Sequence, residues 1–233
     1  MCSESTKMTD IRAIIFDLDD TLVNTFELLV TPLEEAAAGR MRQVDSALPA
    51  ADELAALFLE TRKNCPRRLE EAIRRRLPGI KDQALTERQK VFKSADPCRL
   101  SIDPTAKQLL RDLGDHYHLF LLTQGDPAFQ NRKIDHLKIR HFFKDVVITS
   151  PDGGEGKGEA IQWLLAYHGY VPEAVVVVGN RLDIEIRVAS RLGLRTVWLK
   201  NGEGCCLSPG ETSANPHHTI NNILHLRQVF PLP

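Results

Sequence analysis

Two regimes of hydrophobic patterning divide the 233-residue chain. Residues 11–16 read Ile-Arg-Ala-Ile-Ile-Phe, a short apolar run rich in β-branched and aromatic side chains. Such a run fits a strand buried on both faces of a parallel sheet. It stops abruptly in Asp17-Leu18-Asp19-Asp20-Thr21. The strand pattern then disappears until residue 100. Residues 26–44, 51–62 and 69–77 carry apolar positions at helical spacing instead. Pro32 falls in the first turn of the first segment, Leu54, Leu57 and Phe58 share a face of the second, and Pro78-Gly79 stops the third. Residues 86–92 predict a last short helix, and 94–104 a return linker. From Thr105 the patterns alternate. Helices are expected over 105–113, 126–137, 157–168 and 182–192. Strands are expected over 116–123, 146–148, 174–178 and 195–199, with a short strand and a closing helix over 217–230. This alternation specifies a parallel sheet whose right-handed crossovers cover both faces. The expected fold class is therefore α/β, a doubly wound parallel sheet with an inserted all-helical domain. Residues 1–24 and 100–233 form the core and 25–99 the insertion.

The polar residues that interrupt these patterns cluster at strand ends. Three carboxylates within four residues repel one another, and desolvating them costs several kcal/mol unless a cation compensates. In open α/β sheets the carboxyl ends of strands are also where ligands bind. Asp17, Asp19 and Asp20 thus point to a divalent-metal or phosphate site, against the plainer reading of a solvated, Asp-rich helix cap. The second core strand ends Leu121-Leu122-Thr123-Gln124-Gly125. A hydroxyl followed by free backbone amides suits a phosphate oxygen, and an N-cap threonine explains the residue equally well. Gly153-Gly154-Glu155-Gly156-Lys157-Gly158 precedes an amphipathic helix. A cation at a helix N-terminus opposes the macrodipole, so Lys157 calls for an anion such as a ligand phosphate or Asp17, unless it is simply solvated. The run is not a Walker loop, because no Ser or Thr follows Gly-Lys and the glycine spacing is wrong. Four consecutive valines then lead into Gly179-Asn180, with Asp183 and Glu185 close behind.

Composition narrows the class. Hydrophobic content of 42% and charged content of 26% are ordinary for a globular protein, and a net charge of −1 argues for neither nucleic-acid nor membrane binding. No apolar run approaches the roughly 20 residues of a membrane span, and the first residues lack the apolar stretch of a secretory signal. The five cysteines are scattered and without metal-ligand spacing, which makes a reducing, cytoplasmic location the default. Residues 60–93 hold eleven Lys/Arg against five Asp/Glu. A solvated helix face accounts for this excess more simply than a basic lid over an anionic substrate does.

Phe16-Asp17-Leu18-Asp19-Asp20-Thr21-Leu22 closely resembles the first motif of the haloacid dehalogenase-like (HAD) phosphohydrolases. Thr123 resembles the second motif, Lys157 the third, and the strand ending in Gly179-Asn180 the fourth. The four occur in the family's order, and the helical insertion sits where C1-type caps sit. The resemblance implies a Rossmann-like core and a phosphatase acting on a small phosphorylated metabolite. Asp17 would be the nucleophile and Asp19 the general acid/base. Thr123, Gln124 and Lys157 would hold the substrate phosphate. Mg²⁺ would be held by Asp17, the backbone carbonyl of Asp19, and oxygen from Asn180 or Asp183. Asn180 departs from the family pattern, which has an aspartate there. The acid at position 19 favours phosphate transfer over carbon–halogen cleavage, whose halide product needs no proton. The rival readings are a receiver-type phospho-accepting regulatory domain and a non-catalytic phosphate-binding protein of the same fold. Repeated turnover separates the enzyme from both. A monomer or homodimer is expected.

Overall fold

The computed structural model describes residues 10–150 and 156–230. Within them lie β1 (Ala13–Phe16), β2 (His118–Gln124), β3 (Asp145–Thr149), β4 (Val175–Gly179), β5 (Arg195–Leu199) and β6 (His218–Ile220). All pair in parallel, in the spatial order β3-β2-β1-β4-β5-β6. The chain builds outward from β1 to β3, then crosses back to lay β4 on the other side of β1. That reversal opens a crevice at the carboxyl edge, the place where ligands bind in doubly wound sheets.

Side-chain alternation explains why the sheet is covered twice. Ile14, Phe16, Leu119, Leu121, Val176 and Val178 face one apolar cluster, while Ala13, Ile15, Phe120, Leu122, Val175 and Val177 face another. The first cluster is closed by α5 (Pro104–Gly114) and α6 (Pro127–Leu137), the second by α7 (Gly156–His168) and α8 (Arg187–Arg191). Register aligns Phe16 with both Leu121 and Val178. Asp17, Thr123 and Asn180 therefore leave the sheet at one edge.

The insertion contains α1 (Thr31–Val44), α2 (Ala51–Asn64), α3 (Leu69–Arg76) and α4 (Asp82–Lys93), numbered with the core helices in chain order. It has an apolar cluster of its own, including Met41, Leu54, Phe58, Ile73 and Leu85. The last helix starts at Asp82 rather than at residue 86, because Ala84 and Leu85 are buried in that cluster. A single π-helical turn, Phe26–Val30, leads into α1, and Leu29 ties it to the core of the sheet. The helix expected over 182–192 is divided into a π-helical turn, Leu182–Ile186, and the short α8. The tail adds α9 (Pro209–Thr212), which the periodicity did not announce, and α10 (Leu226–Val229). Among the described residues, no helix is long and apolar enough to cross a membrane.

Candidate active site

Asp17 is the first residue beyond β1 and is buried. Its Oδ1 lies 2.6 Å from Lys157 Nζ, and its Oδ2 accepts from the Thr21 hydroxyl at 3.3 Å. Lys157, one residue into α7, also reaches Glu185 Oε1 at 2.5 Å. The ammonium for which the sequence offered a ligand phosphate or Asp17 is thus shared by two buried carboxylates, Asp17 and Glu185. Burial pushes Asp17 up to about 7; Lys157 opposes this, and Glu185 and Asp19 reinforce it. Burial works to lower Lys157, but Asp17 and Glu185 outweigh it and hold the ammonium charged. Gly153, Gly154 and Glu155 of the glycine-rich run lie outside the described residues.

Asp19 receives three donors from two elements. Thr25 Oγ1 at 2.5 Å and Lys133 Nζ at 2.6 Å meet its Oδ1, and Gln130 Nε2 meets its Oδ2 at 3.0 Å. Burial works to raise this carboxyl. The Lys133 charge and the bonds from Lys133, Thr25 and Gln130 prevail, holding it below the ordinary carboxylate range. Asp20 has a loop-building part. Its backbone is left-handed, with φ 58°. Its carboxylate accepts from the Phe26 amide at 2.7 Å and the Glu203 amide at 3.2 Å. Gly202 sits against it so closely that a Cβ there would fall 2.2 Å from Asp20 Cγ.

Thr123 is fully buried, and its hydroxyl accepts from Gln130 Nε2 at 3.0 Å. Gln124 lines the same cleft, its amide donating to the Ser150 carbonyl at 3.1 Å. The expectation of free backbone amides in this turn is corrected at Gly125, whose N–H is engaged by the Thr149 carbonyl at 2.9 Å. Parallel pairing of β2 with β3 runs one residue further than the sequence pattern implied, and it takes that donor.

The turn after β4 separates residues that the sequence left together. Asn180 is buried and donates from Nδ2 to the carbonyls of Asn201 and Glu203 at 3.1 and 3.3 Å. Those two bonds fix the amide orientation and leave Oδ1 as the end able to serve a cation. Asp183, expected as a possible metal ligand, is placed elsewhere. Arg181 grips both of its oxygens at 2.9 and 3.0 Å, and Arg67 adds a contact at 3.0 Å. Burial works to raise Asp183, but Arg181 and Arg67 carry it below its ordinary value. Asn180, Arg181, Ile184 and Glu185 of this turn line the cleft, and Lys157 joins Glu185 to Asp17.

The cleft has a volume of about 800 Å³. The structure brings Asp17, Asp19, Thr123, Gln124, Lys157 and Asn180 to it, with Asp183 outside the lining. Leu33, Arg62 and Phe92 from the helical insertion close the opposite side. Arg62 pairs with Glu203 and, at 2.7 Å, with the fully buried Glu34, which Arg88 also holds. The basic stretch therefore divides in two. Arg74, Arg75 and Arg76 make exposed pairs with Glu70, Asp82, Glu71 and Glu60, and Arg67, also exposed, reaches Asp183, while Arg62 and Arg88 turn inward.

The lining sets six carboxylates against four cationic side chains. Among the described residues, no group of three or more His, Cys, Asp or Glu side chains forms a metal centre unaided. An oxygen set of Asp17, a backbone carbonyl and the Asn180 amide nevertheless suits a hard divalent cation, which takes carboxylate, carbonyl and water oxygens. Its charge would also relieve the carboxylate excess.

Sequence reasoning missed Gln130 and Lys133. Both are buried on α6, with Ile134 and Leu137 continuing the same stripe. Two polar residues occupying the apolar positions of an amphipathic helix were the available signal.

A parallel doubly wound sheet, with acids and a lysine gathered at its switch point beneath a helical insertion, defines a hydrolase of the class the motifs resemble. The haloacid dehalogenase-like hydrolase family profile matches residues 11–193, and the chain belongs to that family. A glyceraldehyde 3-phosphate phosphatase from Pyrococcus abyssi is 32% identical over 203 residues, 83% of this chain and 83% of its own. N-acylneuraminate-9-phosphatase from Rattus norvegicus is 27% identical over 241 residues, 94% of this chain and 93% of its own. Among solved structures, a haloacid dehalogenase-like family hydrolase from Streptococcus pneumoniae superposes with a TM-score of 0.70 at 22% identity. That match covers 95% of this chain and 99% of the other. The activity is that of a phosphoric monoester hydrolase. Hydrolases of this family generally use Mg²⁺.

Proposed function

We propose that the protein hydrolyses a small phosphorylated metabolite in two steps through an aspartyl-phosphate at Asp17, with Mg²⁺ as cofactor. The observation that carries the reading is the meeting of Asp17, Asp19, Thr123 and Lys157 around one cleft at the sheet's switch point. A phosphate monoester resists attack because a dianion meets the nucleophile, so the site must neutralise charge and divide the reaction. Asp17 Oδ attacks phosphorus in line as the ester oxygen departs. Asp19 gives that oxygen a proton and then takes one from the water that cleaves the acyl phosphate. An ionised Asp19 is the form the second half needs. The arriving phosphate dianion favours proton uptake for the first half. Lys157 and Thr123, with Gln124 beside them, hold the phosphoryl oxygens as charge shifts. Mg²⁺ would be held by Asp17, the Asp19 carbonyl and Asn180 Oδ1, and it would supply positive charge to offset carboxylate and phosphate.

Residues 25–99 serve as the cap, and residues 1–24 and 100–233 as the core. A cleft of about 800 Å³ suits a small metabolite. The relatives named for glyceraldehyde 3-phosphate and N-acylneuraminate 9-phosphate point to phosphorylated sugars and related compounds as the first panel to test. Cys65, Cys98, Cys205 and Cys206 are free thiols, which suits a reducing cytoplasm. The test is phosphate release from nitrophenyl phosphate and from that panel, with Mg²⁺ or with EDTA, beside Asp17→Asn. Metal-dependent turnover abolished in the variant supports the reading. Turnover that survives Asp17→Asn, or a folded wild type inert across the panel, overturns it.

A further inference from the structure

Two of the three donors gathered on Asp19 come from a helix that contributes none of the four motif residues. Gln130 and Lys133 are 3% and 2% exposed, one turn apart on α6. A buried lysine on a face otherwise completed by Ile134 and Leu137 is costly for packing unless it is paired, and the partner here is Asp19, 2.6 Å away. Gln130 is placed with similar care. Its Nε2, with two hydrogens to give, lies 3.0 Å from each of three acceptors: Asp19 Oδ2, the Thr123 hydroxyl and the Gln124 carbonyl. Its Oε1 is buried without a hydrogen-bond partner among the described residues. Residue 125 is glycine at the point where a Cβ would fall 2.9 Å from Gln130 Nε2, so the turn keeps space for this amide.

We infer that Gln130 and Lys133 are positioning residues that aim the Asp19 carboxylate, leaving Oδ2 as the oxygen that exchanges a proton with the leaving group and with water. Oδ1 is filled by two short contacts, from Thr25 at 2.5 Å and Lys133 at 2.6 Å. Oδ2 has one longer contact, from Gln130, and retains acceptor capacity. Held at three points, the carboxylate keeps one rotamer while the chemistry passes through its less occupied oxygen. Ordering of this kind separates a general acid that meets the ester oxygen from one that only samples it. The inference rests on the acid/base part proposed for Asp19.

The test measures kcat/KM with Mg²⁺ along a series of aryl phosphates, from dinitrophenyl phosphate, whose leaving group needs no proton, to phenyl phosphate, whose leaving group does. Wild type, Asp19→Asn, Lys133→Met, Lys133→Arg and Gln130→Leu are compared, each checked for folding by circular dichroism. Asp19→Asn steepens the dependence on leaving-group acidity. Lys133→Met and Gln130→Leu are expected to follow it, losing ~10-fold or more on phenyl phosphate relative to dinitrophenyl phosphate. Lys133→Arg, which keeps a cationic donor, restores the shallower slope. Should Lys133→Met not fold, the neutral Gln130→Leu substitution carries the same comparison. Equal losses along the whole series in Lys133→Met and Gln130→Leu, beside a steep Asp19→Asn, overturn the inference and leave the reading of Asp19 standing. A wild-type slope in Asp19→Asn overturns that reading and the inference with it.

Discussion

Replacing Lys157 by Met removes the ammonium that joins Asp17 to Glu185 and leaves two carboxylates, 5% and 4% exposed, facing each other. At an effective dielectric of about 20, a contact of 2.6 Å carries a gross attraction of about 6 kcal/mol. Desolvation offsets much of that gain, and removing one partner of such a buried cluster costs a net ~3–5 kcal/mol. Against a total stability of ~5–15 kcal/mol, this is a large fraction. The deficit should depend on pH. Burial already raises Asp17 from 3.8 to about 7, and Lys157 is the group that opposes the rise. An acid whose folded pKa lies above its unfolded value costs nothing below the unfolded pKa, and its full cost appears above the folded one. Loss of Lys157 lifts the folded value further, so the variant falls behind wild type most as pH climbs through and past 7. Urea unfolding in EDTA is expected to show a deficit of ~3–5 kcal/mol near pH 8 that shrinks near pH 5.5. Adding Glu185→Gln should recover part of it. A Lys157→Met protein as stable as wild type near pH 8, or a deficit identical at both pH values, would refute the buried-charge argument.

Gly202→Ala places a Cβ 2.2 Å from Asp20 Cγ at a φ of 63°. It should lower unfolding stability by roughly 2–5 kcal/mol, read from urea midpoints. Glu34→Gln leaves Arg62 and Arg88 without the fully buried carboxylate they share, and the same measurement should register a loss of ~3–5 kcal/mol. Asn180→Ala should raise the Mg²⁺ concentration for half-maximal turnover on the order of 10–100-fold. Asp183→Asn should lower the thermal midpoint without moving that concentration, because its oxygens are held by Arg181 and Arg67. An equal Mg²⁺ shift in both variants would return Asp183 to the metal.

The sheet was legible because each core strand carries its own apolar run and ends in residues that no core would tolerate. β1 and β4 are the clearest cases, buried throughout and followed by Asp17 and Asn180. Local patterning could place Asp17, Asp19, Thr123 and Lys157 at strand and helix ends, because chain direction and helix dipole are local properties. It could not choose between Asn180 and Asp183 as the metal ligand. Asp183 is drawn off by Arg181 and by Arg67, and Arg67 arrives from more than a hundred positions earlier. The contacts of Arg62 with Glu34 and Glu203 are equally non-local, so its inward turn was hidden inside a basic stretch that elsewhere is solvated. Gln130 and Lys133 were visible as polar breaks in an apolar stripe. Only the packing of α6 against the loop after β1 shows that they meet Asp19.

The central claim is that the phosphoryl group passes through Asp17. It is tested most directly by rapid mixing with substrate and Mg²⁺, quenching with borohydride, and peptide mass spectrometry. Borohydride reduces an acyl phosphate to an alcohol, so the account expects homoserine at position 17, formed only with substrate and absent in Asp17→Asn. Efficient turnover with Asp17 unmodified, or reduction at another carboxylate, would contradict it.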